Sequence, residues 1–219
     1  MSNFPNSPRL FKGGIVLLNA STGVVQRIIA LQYNPDTLTR SLQVQGAGSD
    51  TPDRSEVLRL KGPPVETIKL EAEIDASDQL ELPDQNPTAT QVGIHPQLAA
   101  LELIIYPTSA QLLANNALAS SGTLEITPVE TPLTLFIWSR SRIVPVRITD
   151  FSITEEAFDA ALNPIRAKVS LGMRVLNVND LGFEHRGGNL FLIYQQQKER
   201  LAAMSPAGTF GALGINGLP

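Results

Sequence analysis

The chain has 219 residues, a formal charge of −4, 42% hydrophobic and 17% charged residues, and no cysteine. The lack of cysteine excludes disulfide staples, thiolate metal sites and thiol catalysis, and the weak acidity supplies no field to gather nucleic acid or an anionic membrane. No apolar run approaches the ~18 residues of a membrane span, and Pro5 and Pro8 stand where a signal peptide needs an apolar core, so Sec export is not expected. At this length one domain with a tail is the default. The low charged fraction hints at a surface that a partner covers.

The first strands are expected between Gly13 and Val44. Ile15 to Leu18 is an apolar run, Asn19 to Gly23 supplies turn residues, and Ile29, Leu31 and Tyr33 alternate with Ala30 and Gln32. Asn34-Pro35 breaks that run. Leu38, Leu42 and Val44 share a face of the next strand with Arg40, which predicts an edge position. From Gln45 to Pro64 the pattern dissolves into Gly, Ser, Asp and Pro, read as a mobile, partner-seeking loop or as a plain solvated one.

Glu66 to Asp75 then alternates cleanly, with Ile68, Leu70, Ala72 and Ile74 on one side and Lys69, Glu71, Glu73 and Asp75 on the other. The polar stretch to Thr90 reads as a second long loop. Pro96 opens a helix carrying Leu98, Leu101, Ile104 and Ile105, Pro107 ends it, and Ser109 to Ala119 is a second helical patch. Strands return at Leu133–Trp138, Ile143–Thr154 and Ile165–Leu176. The last alternates over about 11 residues, beyond the usual ~5–6, which suits a barrel or ring-lining sheet. Asn189 is expected to cap a final helix with Leu190, Ile193, Tyr194 and Leu201, and a Gly-rich tail follows.

Catalytic constellations are missing. His95 and His185 have no partners at metal-ligand spacing, and Glu184 beside His185 points the other way on a strand. Asp75, Asp78, Glu81 and Asp84 read as a solvated face rather than an acid–base pair. Ser139 and Ser141 lack a nucleophile elbow, Gly46 and Gly48 lack the rest of a phosphate loop, and Arg186-Gly187-Gly188 reads as turn chemistry. No catalytic, metal-binding or cofactor-binding residue is assigned. Arg140, Arg142 and Arg147 with Trp138 form the best basic-aromatic group; alternating strand positions would make it a basic stripe for nucleic acid, but in an acidic chain it reads rather as charge pairing across a sheet or as a subunit contact. Arg166, Lys168 and Arg174 belong on the face of their strand opposite the core, where they would line a lumen, meet a neighbour or meet solvent.

These residues lead to a mainly β protein with a few helices, an antiparallel barrel or sandwich. Its segments also follow the order of a known family. LQYNPDTLTRSL (Leu31–Leu42), GPPVETIKLEAEIDASDQLE (Gly62–Glu81), HPQLAALELIIYP (His95–Pro107) and the span Pro132–Leu176 together resemble the contractile injection system tube-protein family, the baseplate adaptor of phage-tail-like particles. The specificity lies in their order and spacing over most of the chain. Many relatives end in a LysM-type module; only about 40 residues follow Leu176, so this chain resembles a form without it, and glycan binding is not carried over.

The resemblance implies a non-enzymatic structural component joining spike hub, inner tube and baseplate, in a six-fold ring, without nucleic acid or membrane insertion. It implies synthesis in the cytoplasm and residence in an assembled particle. Residues 1–180 are expected to form the β-rich adaptor domain and 181–219 the helix and tail. The two long loops and the tail would order on assembly. The competing reading is a carbohydrate- or cell-surface-binding module stacking ligands on Trp138, Tyr106 and Tyr194, with aromatics only 5% of the chain.

Overall fold

A computed structural model describes residues 11–46, 58–120 and 131–218. The strands are β1 (Gly14–Leu18), β2 (Val25–Ala30), β3 (Leu38–Gln43), β4 (Val65–Asp75), β5 (Leu133–Ser139), β6 (Arg142–Phe158) and β7 (Pro164–Val175). They form one sheet in the order β2-β1-β5-β6-β7-β4-β3, every neighbouring pair antiparallel. The mainly β expectation holds. The barrel or sandwich does not: the sheet stays open, with β2 and β3 as its edges. Arg40 therefore does lie on an edge strand, as its place among Leu38 and Leu42 predicts.

The reason for the open edge is local. β3 pairs with β4 only as far as Leu70, which leaves Glu71–Asp75 facing β2 across a seam. There the side chain of Gln32 takes the place of a strand: its Nε2 donates to the Asp75 carbonyl (2.6 Å) and its Oε1 accepts from the Asp75 N–H (3.0 Å). Residues of α3 (His95–Glu102) line the rest of the seam, where barrel closure would need a main-chain ladder.

The core lies on the face to which alternation assigned the apolar set. Ile68, Leu70, Ala72 and Ile74 of β4 pair in register with Met173, Leu171, Val169 and Ala167 of β7, and all eight are buried. Phe136, Val144 and Val146 extend this face, while Leu98 and Leu101 of α3 cover it. Each Ile, Leu, Val, Met and Phe side chain among them contributes about 1.5–3 kcal/mol relative to exposure, and the two alanines less. A smaller cluster, Leu18, Leu133 and Leu135 with Leu181 and Leu190, lies apart from it.

The polar stretch after Asp75 is not a loop. It folds into α1 (Ser77–Leu80), a 3-10 turn at Pro83–Gln85 and α2 (Pro87–Val92). Prolines occupy the first helical turns, where a missing N–H costs nothing, and Ala89 is the residue of α2 that reaches the core. Beyond α4 (Ser109–Ser120) and α5 (Val178–Leu181), the long α6 spans Arg186–Ala203. Its cap is His185, whose Nδ1 accepts from the Gly187 N–H at 3.0 Å, not Asn189. Arg186-Gly187-Gly188 is thus the first turn of the helix, because only glycine fits the elbow with α5. A side chain at Gly188 would meet the Gly182 carbonyl oxygen. Gly188→Ala is expected to cost about 2 kcal/mol, lowering Tm by about 4–8 °C in a thermal melt; an unchanged Tm would show that the elbow gives way freely. The buried face of α6 holds Phe191 and Tyr194, whereas Ile193 and Leu201 are exposed.

Candidate assembly surface

Outward-facing residues of β4, β7 and β6 make a ladder of opposite charges. Asp75, Arg166 and Glu156 lie in one row, and Glu73, Lys168 and Thr154 in the next. Arg166 Nε is 2.7 Å from Asp75 Oδ2 and 3.8 Å from Glu73, Lys168 is 3.5 Å from Glu156, and Arg174 is 2.8 Å from Asp180. Partial burial opposes ionisation of Asp75, but hydrogen bonds from Ser77 and Arg166 outweigh it and hold its carboxyl below the usual range. Arg166 is shifted up, chiefly by its hydrogen bond to Asp75. Exposed pairs of this kind add little stability; they leave a face that is charged yet locally neutral.

Arg166, Lys168 and Arg174 stand on the non-core face, but the structure does not gather the basic candidates into one patch. Arg147 faces Arg174 across the β6–β7 ladder. Arg140 sits in the β5–β6 turn with its guanidinium 5.8 Å from the Phe11 ring, and Arg142 begins β6, five positions before Arg147. Trp138 is half-buried, stacked on Phe136 with centroids 6.0 Å apart. Tyr194 is buried, so it offers no stacking face to a sugar.

One polar cluster escaped the sequence reading. Glu66 is 2% exposed, and its Oε1 accepts from Arg40 Nε (2.8 Å) and from the Tyr194 hydroxyl (3.1 Å). Lys198 Nζ donates to Oε2 at 3.1 Å and lies 4.0 Å from the Tyr194 ring centroid. Burial alone would raise the Glu66 carboxyl; Arg40 and Lys198 outweigh it and hold it below the ordinary value. Burial first, and the neighbouring Glu66 charge second, push the Tyr194 hydroxyl up to about 12. The signal was present: Glu66 has the same parity as Ile68 to Ile74, so alternation points it inward. The cluster ties α6 to β3 and β4. Among the described residues no group of three His, Asp or Glu could hold a metal, and no helix is long and apolar enough to cross a membrane.

The unpaired strand edges are the larger feature. β5 covers β6 only as far as Val146, so from Arg147 to Phe158 the outer edge of β6 has no strand beside it among the described residues. β2 exposes Val25 and Ile28, the latter 69%, on an edge that carries only Arg27 as a charge. Long, apolar, unprotected edges are normally paired or blocked, because their free N–H and C=O groups recruit other strands. Beyond them, the β6–β7 hairpin presents Phe158 and Leu162 at an exposed tip, with Leu162 at φ 65. The Asp159 carboxylate holds the turn by accepting from the Ala161 and Asn163 N–H groups, each at 2.8 Å. Of the expected partner-seeking loop Gln45–Pro64, residues 47–57 lie outside the described ones; its base is closed by a Gly46–Leu60 bridge.

No protein-family model matches the chain, and no curated protein matches it. Among solved structures it is similar to a chain from the tail of an empty gene transfer agent particle with C6 symmetry, at 16% identity and a TM-score of 0.29, over 75% of this chain and 90% of that one. It is also similar to a chain from the virion of a native gene transfer agent particle, at 13% identity and a TM-score of 0.26, over 74% and 90%. TM-scores this low do not establish a common fold.

Proposed function

We propose that this chain is a structural subunit of a contractile, phage-tail-like particle, joining spike hub, inner tube and baseplate. The observation that carries the reading is the open sheet: β2 and the distal half of β6 are unpaired edges that can be completed by strands of neighbouring subunits. A head-to-tail contact of this kind closes into a ring when the rotation per subunit divides the circle, and six copies is the number the sequence resemblance implies. The charged face of β4, β7 and β6 would then line a lumen or meet the next ring, and Arg140, Arg142, Arg147 and Trp138 would lie at subunit contacts. The subunit acts by shape and pairing, without a chemical step.

Affinity purification of the tagged chain from its native cells, followed by mass spectrometry and electron microscopy, tests this. Tube, sheath and spike proteins are expected with it, together with tail-like particles, and deleting the gene should abolish normal particles. A monodisperse chain eluting alone, or full-length working particles in the deletion strain, would overturn the proposal.

A further inference from the structure

Residues 205–219 carry no charged side chain, and every described residue among them is exposed. Phe210, Leu213, Ile215 and Leu218 are among these, Leu213 at 73% and Leu218 at 78%. The arm is nonetheless shaped. A 3-10 turn spans Phe210–Leu213, Thr209 Oγ1 accepts from the Ala212 N–H at 3.2 Å, Gly214 is left-handed, and the Ile215 N–H donates to the Phe210 carbonyl at 3.1 Å. An uncharged arm with several large apolar side chains in water calls for a surface to cover it.

The seam between β2 and β4 offers that surface. It is a groove of about 410 Å³ whose walls include Ile28, Ala30, Ala72, Ile74, Ala100 and Leu101. Glu71–Asp75 of β4 lack a strand partner on the side facing it. Gln97 also lines the groove; its Oε1, unpartnered among the described residues, is itself buried and closed off from the groove's open space. The apolar walls and the unpaired edge of β4 call for an occupant that brings both apolar side chains and backbone N–H groups. The arm has both to give, and its glycines allow close approach of the backbone.

We propose that the C-terminal arm of one copy docks in the β2–β4 groove of a second copy, Leu213 and Ile215 entering the groove and the backbone of the arm lying along the unpaired edge of β4. The exchange runs between copies because the arm lies free of its own groove. Tyr194 and Lys198 anchor α6 to Glu66 near β3, and the arm departs from there. From Met204 to Ile215, 12 residues at about 3.3 Å each span up to about 40 Å, less the shortening at the 3-10 turn, which carries Leu213 and Ile215 away from their own α6 toward an adjacent subunit. The proposal goes beyond the particle reading and does not depend on it; a chain that elutes alone from its cells would leave arm exchange standing.

Sedimentation velocity of the full chain tests it with two variants, Leu213→Asp with Ile215→Asp in the arm and Ala100→Glu in the groove. Wild type is expected to self-associate with rising concentration. Each variant alone should weaken association at least tenfold while keeping the wild-type melt. Mixed in equal amounts they should recover a one-to-one complex, since one brings an intact groove and the other an intact arm. A strictly monomeric wild type, folded variants that associate as wild type does, or a mixture that fails to recover would overturn the proposal. So would a cross-link between arm and groove that forms within a single chain.

Discussion

Phe136→Ala is expected to lower Tm by about 8–20 °C, the largest effect of any single change proposed for this protein. Phe136 is 1% exposed and belongs to the main core. On β5 it pairs with Ile15 of β1 on one side and Val144 of β6 on the other, and it is stacked against Trp138. Truncating a buried phenylalanine removes its transfer free energy and leaves a cavity, together about 3–5 kcal/mol. Central strands relax poorly, because register fixes their neighbours, so the upper half of that range is expected. In a chain of this size each kcal/mol moves Tm by about 2–4 °C. A thermal melt that falls by less than this range would mean that Trp138 moves in to fill the space. Phe136→Leu separates volume from aromatic stacking, and should recover more than half of the loss.

Glu66→Ala comes second, at about 2–3 kcal/mol, or about 4–12 °C in Tm. Removing one member of a buried charged cluster costs up to about 3–5 kcal/mol when the remaining charge is stranded. Here the Arg40 and Lys198 side chains are 27% and 32% exposed, so both regain water and the cost is lower. The pH dependence follows from the direction of the shift. The folded carboxyl sits below its ordinary value of 4.5, so the unfolded chain binds the proton more readily. The stabilisation is therefore complete above the unfolded value and is lost as pH falls through the lower, folded one. The Tm gap between wild type and Glu66→Gln should be full at pH 7 and shrink steadily below about pH 4.5. A gap that stays constant down to pH 3 would show that the cluster acts through packing, not charge. Tyr194 does not enter this window, since its hydroxyl titrates near 12.

The cluster also explains how α6 comes to belong to the sheet. Its first turn is locked by Gly187 and Gly188 against α5, its middle buries Phe191 and Tyr194, and Lys198 fastens its last third to Glu66. The apolar arm leaves after that anchor, so weakening Glu66 would loosen the base of the arm as well as the helix.

Strands came through from the sequence because a half-buried strand must alternate, and β4 and β7 keep that alternation over 11 and 12 residues. The same rule put Arg166, Lys168 and Arg174 on the outer face and Arg40 among inward residues. Helices shorter than two turns did not come through. α1 and α2 have too few residues to show a 3.6-residue period, and their prolines read equally well as loop. The elbow at Gly187-Gly188 was misread for a different reason: glycine there answers to the closeness of α5, which is a contact between distant backbone atoms and leaves no local pattern.

Tertiary structure alone decided whether the sheet closes and which charges meet. Periodicity assigns a face to each side chain but says nothing of which strand lies beside it. The open seam depends on Gln32 replacing a strand at Asp75, 43 positions away in the chain. The Glu66 cluster depends on residues 26, 128 and 132 positions apart. What the amino-acid order determined by itself is the set of faces; what the fold added is the pairing of those faces, because long-range contacts are selected by packing and not by any neighbour along the chain.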